Sequence, residues 1–172
     1  RGLRSFTIVG WLKPASLKTG PGGNRIVFCL NHDHSGIDLV CHADGRLRLA
    51  VNQWPDGIQN DSSPGRVQVG KWTFFAVTYD ATQSQDTVHW YFSQALNTPA
   101  QPVITLDCKT SYNAGPVDTD IGPLAIGNFN ETMRGFGWDR QFRGILRGLQ
   151  IFGSRVGGHG ALTAEAITKL AL

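Results

Sequence analysis

Two polar stretches of this chain carry a tryptophan among aspartate, asparagine and arginine: Asn52-Gln-Trp54-Pro-Asp56-Gly and Arg134-Gly-Phe-Gly-Trp138-Asp139-Arg140. An indole offers a flat apolar surface on which the apolar face of a sugar ring can stack, while carboxylates, amides and guanidinium groups read its hydroxyls. The expectation is a ligand site with Trp54 and Trp138 as platforms and Asn52, Asp56, Arg134, Asp139 and Arg140 as polar partners. Loop tryptophans also cap the ends of sandwiches, so the rival expectation is that both are packing residues. Trp11, Trp72 and Trp90 lie in apolar runs and are read as core.

Residues for catalysis are sparse. Glycoside hydrolysis ordinarily needs two carboxylates flanking the scissile bond, and the only glutamates are Glu131, in a polar stretch, and Glu165, near the C-terminal end. No nucleophile elbow and no phosphate-cradling glycine loop is present. Asn31, Asp33, Ser35 and Asp38 supply hard oxygen atoms around one turn, the kind of donor calcium takes, which makes Asp33 and Asp38 the candidate metal ligands. The same residue types also simply form turns.

The formal charge of +3 divides into 11 Arg and 5 Lys against 11 Asp and 2 Glu. The planar guanidinium fork suits carboxylate and sulfate groups, so the arginine bias points towards an acidic ligand. No nucleic-acid-binding motif accompanies it, and no run of 18 apolar residues offers a membrane span. Cys29, Cys41 and Cys108 make an odd count. Cys29 and Cys41 flank a hairpin, so a cross-strand bridge is one reading and three buried thiols acting as small hydrophobes is the other. Zinc is not indicated, because no paired C-x-x-C knuckle exists.

Short runs punctuated by Gly, Asn, Asp and Pro give an all-β pattern rather than βαβ units. Strands are expected at 6–12, 25–31, 37–42, 46–52, 72–79, 87–93, 103–106, 123–128 and 143–152. Ala43-Asp44-Gly45 should be a tight hairpin turn. Val88, Trp90 and Phe92 alternate with His89, Tyr91 and Ser93, so one set faces the core; Phe74-Phe-Ala-Val77 is apolar on both sides and should be covered on both. One helix is expected at 162–170, with Thr163 as N-cap and Glu165 in its first turn. The irregular stretches 53–69, 107–122 and 129–141 exceed about 12 residues and are where a site should lie.

Three motifs carry a resemblance. Phe6-Thr-Ile-Val-Gly-Trp-Leu-Lys-Pro14, Gly70-Lys-Trp-Thr-Phe-Phe-Ala-Val-Thr-Tyr-Asp80 and Phe142-Arg-Gly-Ile-Leu-Arg-Gly-Leu-Gln-Ile-Phe152 stand in the order of an opening, a middle and a closing strand. Together they resemble bacterial members of the laminin-G-like, concanavalin A-like superfamily. The resemblance implies a jelly-roll β-sandwich of two antiparallel sheets with a short C-terminal helix, one domain over 1–172. It also implies a recognition module, a lectin-like carbohydrate-binding domain of a secreted or cell-surface protein, or else an adhesion and assembly module.

The superfamily houses glucanases and lyases as well. The glucanase motif Glu-x-Asp-x-x-Glu is missing here. The nearest approach to a lyase acid and base is His89 with Tyr91. Relatives often place an aspartate near a structural calcium in the last strand, where this chain has Arg147, so that site does not carry over. They also usually have one or two strands ahead of the Phe-Thr-Ile strand, which only residues 1–5 precede here. The expectation is a domain cut from a longer host polypeptide, or one completed by a strand from that polypeptide or a neighbouring chain.

Overall fold

Phe6, Ile8 and Leu12 recur on one side of an extended run and place that side against the core. The structure is a computed structural model that describes residues 2–18, 24–55, 60–131 and 140–172. In it the run is strand β1 (Ser5–Pro14). It is followed by β2 (Asn24–Phe28), β3 (Ile37–Cys41), β4 (Leu47–Val51), β5 (Thr73–Asp80), β6 (Val88–Ser93), β7 (Ile104–Thr110), β8 (Ala125–Ile126), β9 (Gly144–Ser154) and helix α1 (Ala164–Leu170). The strands form two antiparallel sheets, β7-β6-β5-β1-β9 and β4-β3-β2-β8.

The core between the sheets holds Phe6, Ile8, Leu12, Phe75, Val77, Trp90 and Phe92 from one sheet and Ile26, Val27, Leu39 and Leu49 from the other. Each large side chain so buried contributes about 1.5–3 kcal/mol. Phe74 and Ala76 point to the opposite side of β5 and pack with Val9, Trp11, Tyr91 and Ile167 of α1, so this strand is covered on both faces as expected. Trp90 is fully buried and Trp11 nearly so, while Trp72 is a partly buried neighbour of the helix cluster.

Local chemistry fixes the element ends. Gly45 supplies φ +78° in the β3–β4 hairpin, where an added Cβ would meet the Val67 carbonyl oxygen at 2.3 Å. Thr163 caps α1, accepting from the Ala166 amide at 3.3 Å, and Glu165 pairs with Lys169 at 2.7 Å. β8 has two residues where 123–128 were expected, because Pro123 has no N–H to give a ladder and Gly127 turns away at φ +77°. β7 runs beyond the expected 106 to Thr110, its register with β6 shifting at Trp90/Tyr91.

The C-terminal segment is tied to β1 by buried hydroxyls. Ser5 Oγ donates to the Gly157 carbonyl and accepts from the Gly160 amide, at 2.9 and 2.8 Å. Thr7 Oγ1 donates to the Gly160 carbonyl and accepts from the Leu162 amide, at 2.7 and 2.8 Å. All three cysteines are free thiols. Cys41 pairs with Asn24 at the start of β2, whereas Cys29 follows the end of β2, so the two stand at opposite ends of the hairpin and the bridge reading is corrected.

Candidate functional site

The outer face of the four-stranded sheet carries charge where its strands are otherwise apolar. Arg25 in β2 and Asp38 in β3 are 2% and 0% exposed, and Nε and Nη2 of the guanidinium donate to both carboxylate oxygens at 2.8–3.2 Å. Nη1 finds no hydrogen-bond acceptor among the described residues. The guanidinium carbon instead lies 4.8 Å from the ring centre of Phe129. Asp38 is therefore withdrawn as a calcium ligand: its oxygens serve a buried counter-ion. Asp33 lies exposed on the 31–36 turn, where its amide donates to Asn31 Oδ1. Among the described residues no three His, Cys, Asp or Glu side chains gather to hold a metal.

Above this ion pair sits an aromatic cluster. Phe28 and Leu30 from the β2 side and Phe129 from the 129–141 stretch are buried together, with Trp54 packed against them. Phe28 and Phe129 have ring centres 4.7 Å apart, Trp54 lies 6.1 Å from Phe28 and 5.9 Å from Phe129, and His34 lies 5.4 Å from Trp54. The Arg140 guanidinium stands 5.6 Å from the Phe129 ring, a favourable cation–π distance. Its backbone carbonyl accepts from the Arg25 amide at 2.8 Å, anchoring this end of the loop to β2. Arg48, held by Asp61 at 2.5–2.8 Å, donates to the Pro55 carbonyl at 3.1 Å and so fixes the backbone beside Trp54.

The structure thus brings Trp54 and Arg140 onto one patch through Phe129, a residue the sequence reading did not single out. A phenylalanine within Asn128-Phe-Asn130, at the mouth of a tryptophan-bearing loop, was the signal that could have found it. Trp54 combines the two readings considered for it: it packs on the cluster and stays partly exposed. Asn52 takes a structural role, since at φ +54° its side chain accepts from the Gly36 and Asp118 amides and donates to the Pro116 carbonyl. Asp56, Arg134, Trp138 and Asp139 lie outside the described residues.

A concavity of about 510 Å³ opens on the outer face of the five-stranded sheet, between β5, β6 and the approach to α1. His89 Nδ1 lies 3.3 Å from Tyr91 Oη there. Burial and then the nearby Lys109 hold the His89 ring below its ordinary pKa of 6.5. Lys109 itself is 3.6 Å from Asp86, and Asp80 also lines the wall. Two aspartates around one already-paired lysine disfavour an anionic sugar in this cleft. The two glutamates stand apart as well: Glu131 follows Asn130 on the four-stranded side, and Glu165 is in α1 on the other.

No protein-family model matches the chain, and no curated protein matches it in sequence. Solved structures do match in fold. The carbohydrate-binding module CBM40 of the Ruminococcus gnavus IT-sialidase superposes with TM-score 0.68 at 13% identity, over 99% of this chain and 84% of that one. Domain 4 of AbnA, a GH43 extracellular arabinanase from Geobacillus stearothermophilus solved with arabinotriose, gives 0.61 at 19% identity over 100% and 68%. A heptameric SAP-like pentraxin from Limulus polyphemus gives 0.60 at 17% identity over 99% and 71%. At these identities the likeness is one of fold: a jelly-roll sandwich, as the sequence motifs implied.

Proposed function

We propose that this is a non-catalytic, lectin-like carbohydrate-binding domain of an extracellular or cell-surface bacterial protein, and that it recognises an acidic glycan. The carrying observation is the patch on the four-stranded sheet, where partly exposed Trp54 and the Arg140 guanidinium share Phe129 as their support. The indole suits the apolar face of a sugar ring and Arg140 suits a carboxylate. Arg134, Trp138, Asp56 and Asp139 are the further members this reading assigns to the site.

The fold neighbours favour this reading without deciding the ligand. The R. gnavus module has been solved bound to α2,3- and α2,6-sialyllactose, and the arabinanase domain with arabinotriose. An acidic sugar is preferred here because Arg140 brings a guanidinium beside the aromatic patch.

A glycan array carrying sialylated, uronate-containing and neutral sugars, followed by calorimetry on the best ligand, tests the proposal. The expected result is saturable binding to an acidic glycan, weakened by salt as exposed charges are screened and by Arg140→Ala. Indifference to every acidic and neutral glycan, or binding unchanged in both Trp54→Ala and Arg140→Ala, overturns it.

A further inference from the structure

The cleft on the outer face of the five-stranded sheet has hydroxyl groups at its base. Thr78 of β5 and His89 of β6 are cross-strand partners, and Tyr91 stands two residues along β6 on the same face. Thr78 is 3% exposed and lines the cleft, and its hydroxyl has no hydrogen-bond partner among the described residues. An unpaired hydroxyl so placed is a position for an incoming polar atom. Tyr91 Oη touches only His89 Nδ1, at 3.3 Å. If the phenol donates to that nitrogen it can still accept, and if it accepts from it, it can still donate.

The walls carry charges that are already answered within the chain. Lys109 lies 3.6 Å from Asp86, and the Asp80 carboxylate accepts from the Thr82 amide and hydroxyl at 2.9 and 2.6 Å. A neutral ligand leaves these pairs intact, whereas an anion meets two carboxylates and a cation meets the lysine. Gln83 and Gln85 add side-chain amides, which donate and accept as hydroxyls do. The wall formed by Ala161 and Leu162 is fixed in advance, because Thr7 Oγ1 accepts from the Leu162 amide at 2.8 Å. At about 510 Å³ the space falls within the roughly 300–1,000 Å³ of small-molecule sites.

We propose that this cleft is a further carbohydrate site, one that takes a neutral sugar unit. Its hydroxyls exchange hydrogen bonds with Thr78, Tyr91 and the glutamine amides, while its apolar edge rests on Leu162. A hydroxyl both donates and accepts, as do the groups that line the cleft; a carboxylate only accepts and an ammonium only donates. The cleft and the Trp54 patch occupy the outer faces of different sheets, and the inference does not rest on the reading of that patch.

The probes are the methyl glycosides of glucose, galactose, mannose, xylose and arabinose, with glucuronate and glucosamine as charged controls, titrated into the isotope-labelled protein and followed by amide NMR. At least one neutral glycoside should shift the amides of Thr78, His89, Tyr91 and Leu162 saturably, leave those around Trp54 in place and bind more tightly than either control. Thr78→Val and Tyr91→Phe, each close to isosteric, should weaken that binding about two- to tenfold, as the loss of one hydrogen bond does. Trp54→Ala should leave it unchanged. The proposal is overturned if no neutral glycoside moves the cleft amides, if a charged control binds as tightly as the best neutral one, or if both cleft variants bind like the unaltered protein.

Discussion

Arg25 and Asp38 form an ion pair fully buried beneath the aromatic cluster, with both carboxylate oxygens within 3.2 Å of the guanidinium. Removing one partner strands a charge in a dry site. Asp38→Ala or Arg25→Ala should therefore destabilise the domain by about 3–5 kcal/mol. The double replacement Arg25→Met/Asp38→Leu should cost clearly less than the sum of the two single changes. Urea denaturation of the four proteins checks this; additive losses contradict it.

Trp54 caps Phe28 and Phe129 as well as standing at the proposed sugar site, so its removal should register twice. Trp54→Ala should weaken binding of an acidic glycan roughly five- to a hundredfold, by analogy with the ~1–3 kcal/mol of stacking on aromatics. It should also lower the melting temperature measurably, whereas Trp54→Phe should retain most of the stability and lose less affinity. Calorimetry and thermal melts on both variants separate the two effects.

Two histidines should make stability fall on acidification. Burial, and after it Arg48, holds His42 below its ordinary pKa of 6.5; burial, and after it Lys109, does the same for His89. A group whose folded pKa is depressed stays neutral in the native state, so the unfolded chain binds more protons below pH 6.5. Their contribution is complete above pH 6.5 and is lost as pH falls below it. Melting temperatures between pH 8 and pH 5 should decline across that window, and His42→Gln together with His89→Gln should flatten the decline.

The cysteines should be sluggish. Burial drives the Cys41 thiol up to about 12, and burial with the adjacent Asp107 drives Cys108 up to about 11. Since the thiolate is the reacting species, a disulfide-exchange reagent at pH 7.5 should label the native protein only slowly and label three thiols after denaturation. A reducing agent should leave the melting temperature unchanged. Immediate labelling, or a reducible bond, contradicts the arrangement.

Calcium should matter little. Asp38 is committed to Arg25, and Arg147 lies across from Trp11 on β9. A chelator should shift the melting temperature by less than about 2 °C, and a drop above ~10 °C, more than roughly 2 kcal/mol for a domain of this size, would reveal a structural metal ion.

What could be read from the sequence was what adjacent residues decide. Period-two alternation set Val88, Trp90 and Phe92 on one face of a strand and His89, Tyr91 and Ser93 on the other, without saying which faces inward; Gly45 marked its hairpin turn, and the cap at Thr163 depends only on the next three residues. What escaped depends on distant partners. Asp38 resembled a calcium ligand because Arg25, thirteen positions away, meets it only when β2 pairs with β3. The support of Trp54 by Phe129 arises only when these two residues, far apart in sequence, meet over Phe28 of β2. A charged residue inside each of two apolar runs, Arg25 before Ile26-Val-Phe28 and Asp38 within Ile37-Asp-Leu39, was the one local hint of a buried pair.

The clasp between β1 and the chain's last third constrains the order of events during synthesis. β1 can zip onto β5 once about half of the sequence exists, but its other edge stays empty until β9 and the Gly157–Leu162 anchors of Ser5 and Thr7 have been made. At 5–20 residues per second, those 140-odd residues impose a wait of about 7–30 s on the ribosome. A partly translated chain therefore displays an unsatisfied strand edge along β1. The completed polypeptide, closing the same contact in a single step, should refold on the slower millisecond-to-second scale of sandwiches dominated by distant pairings, and stopped-flow refolding would time it.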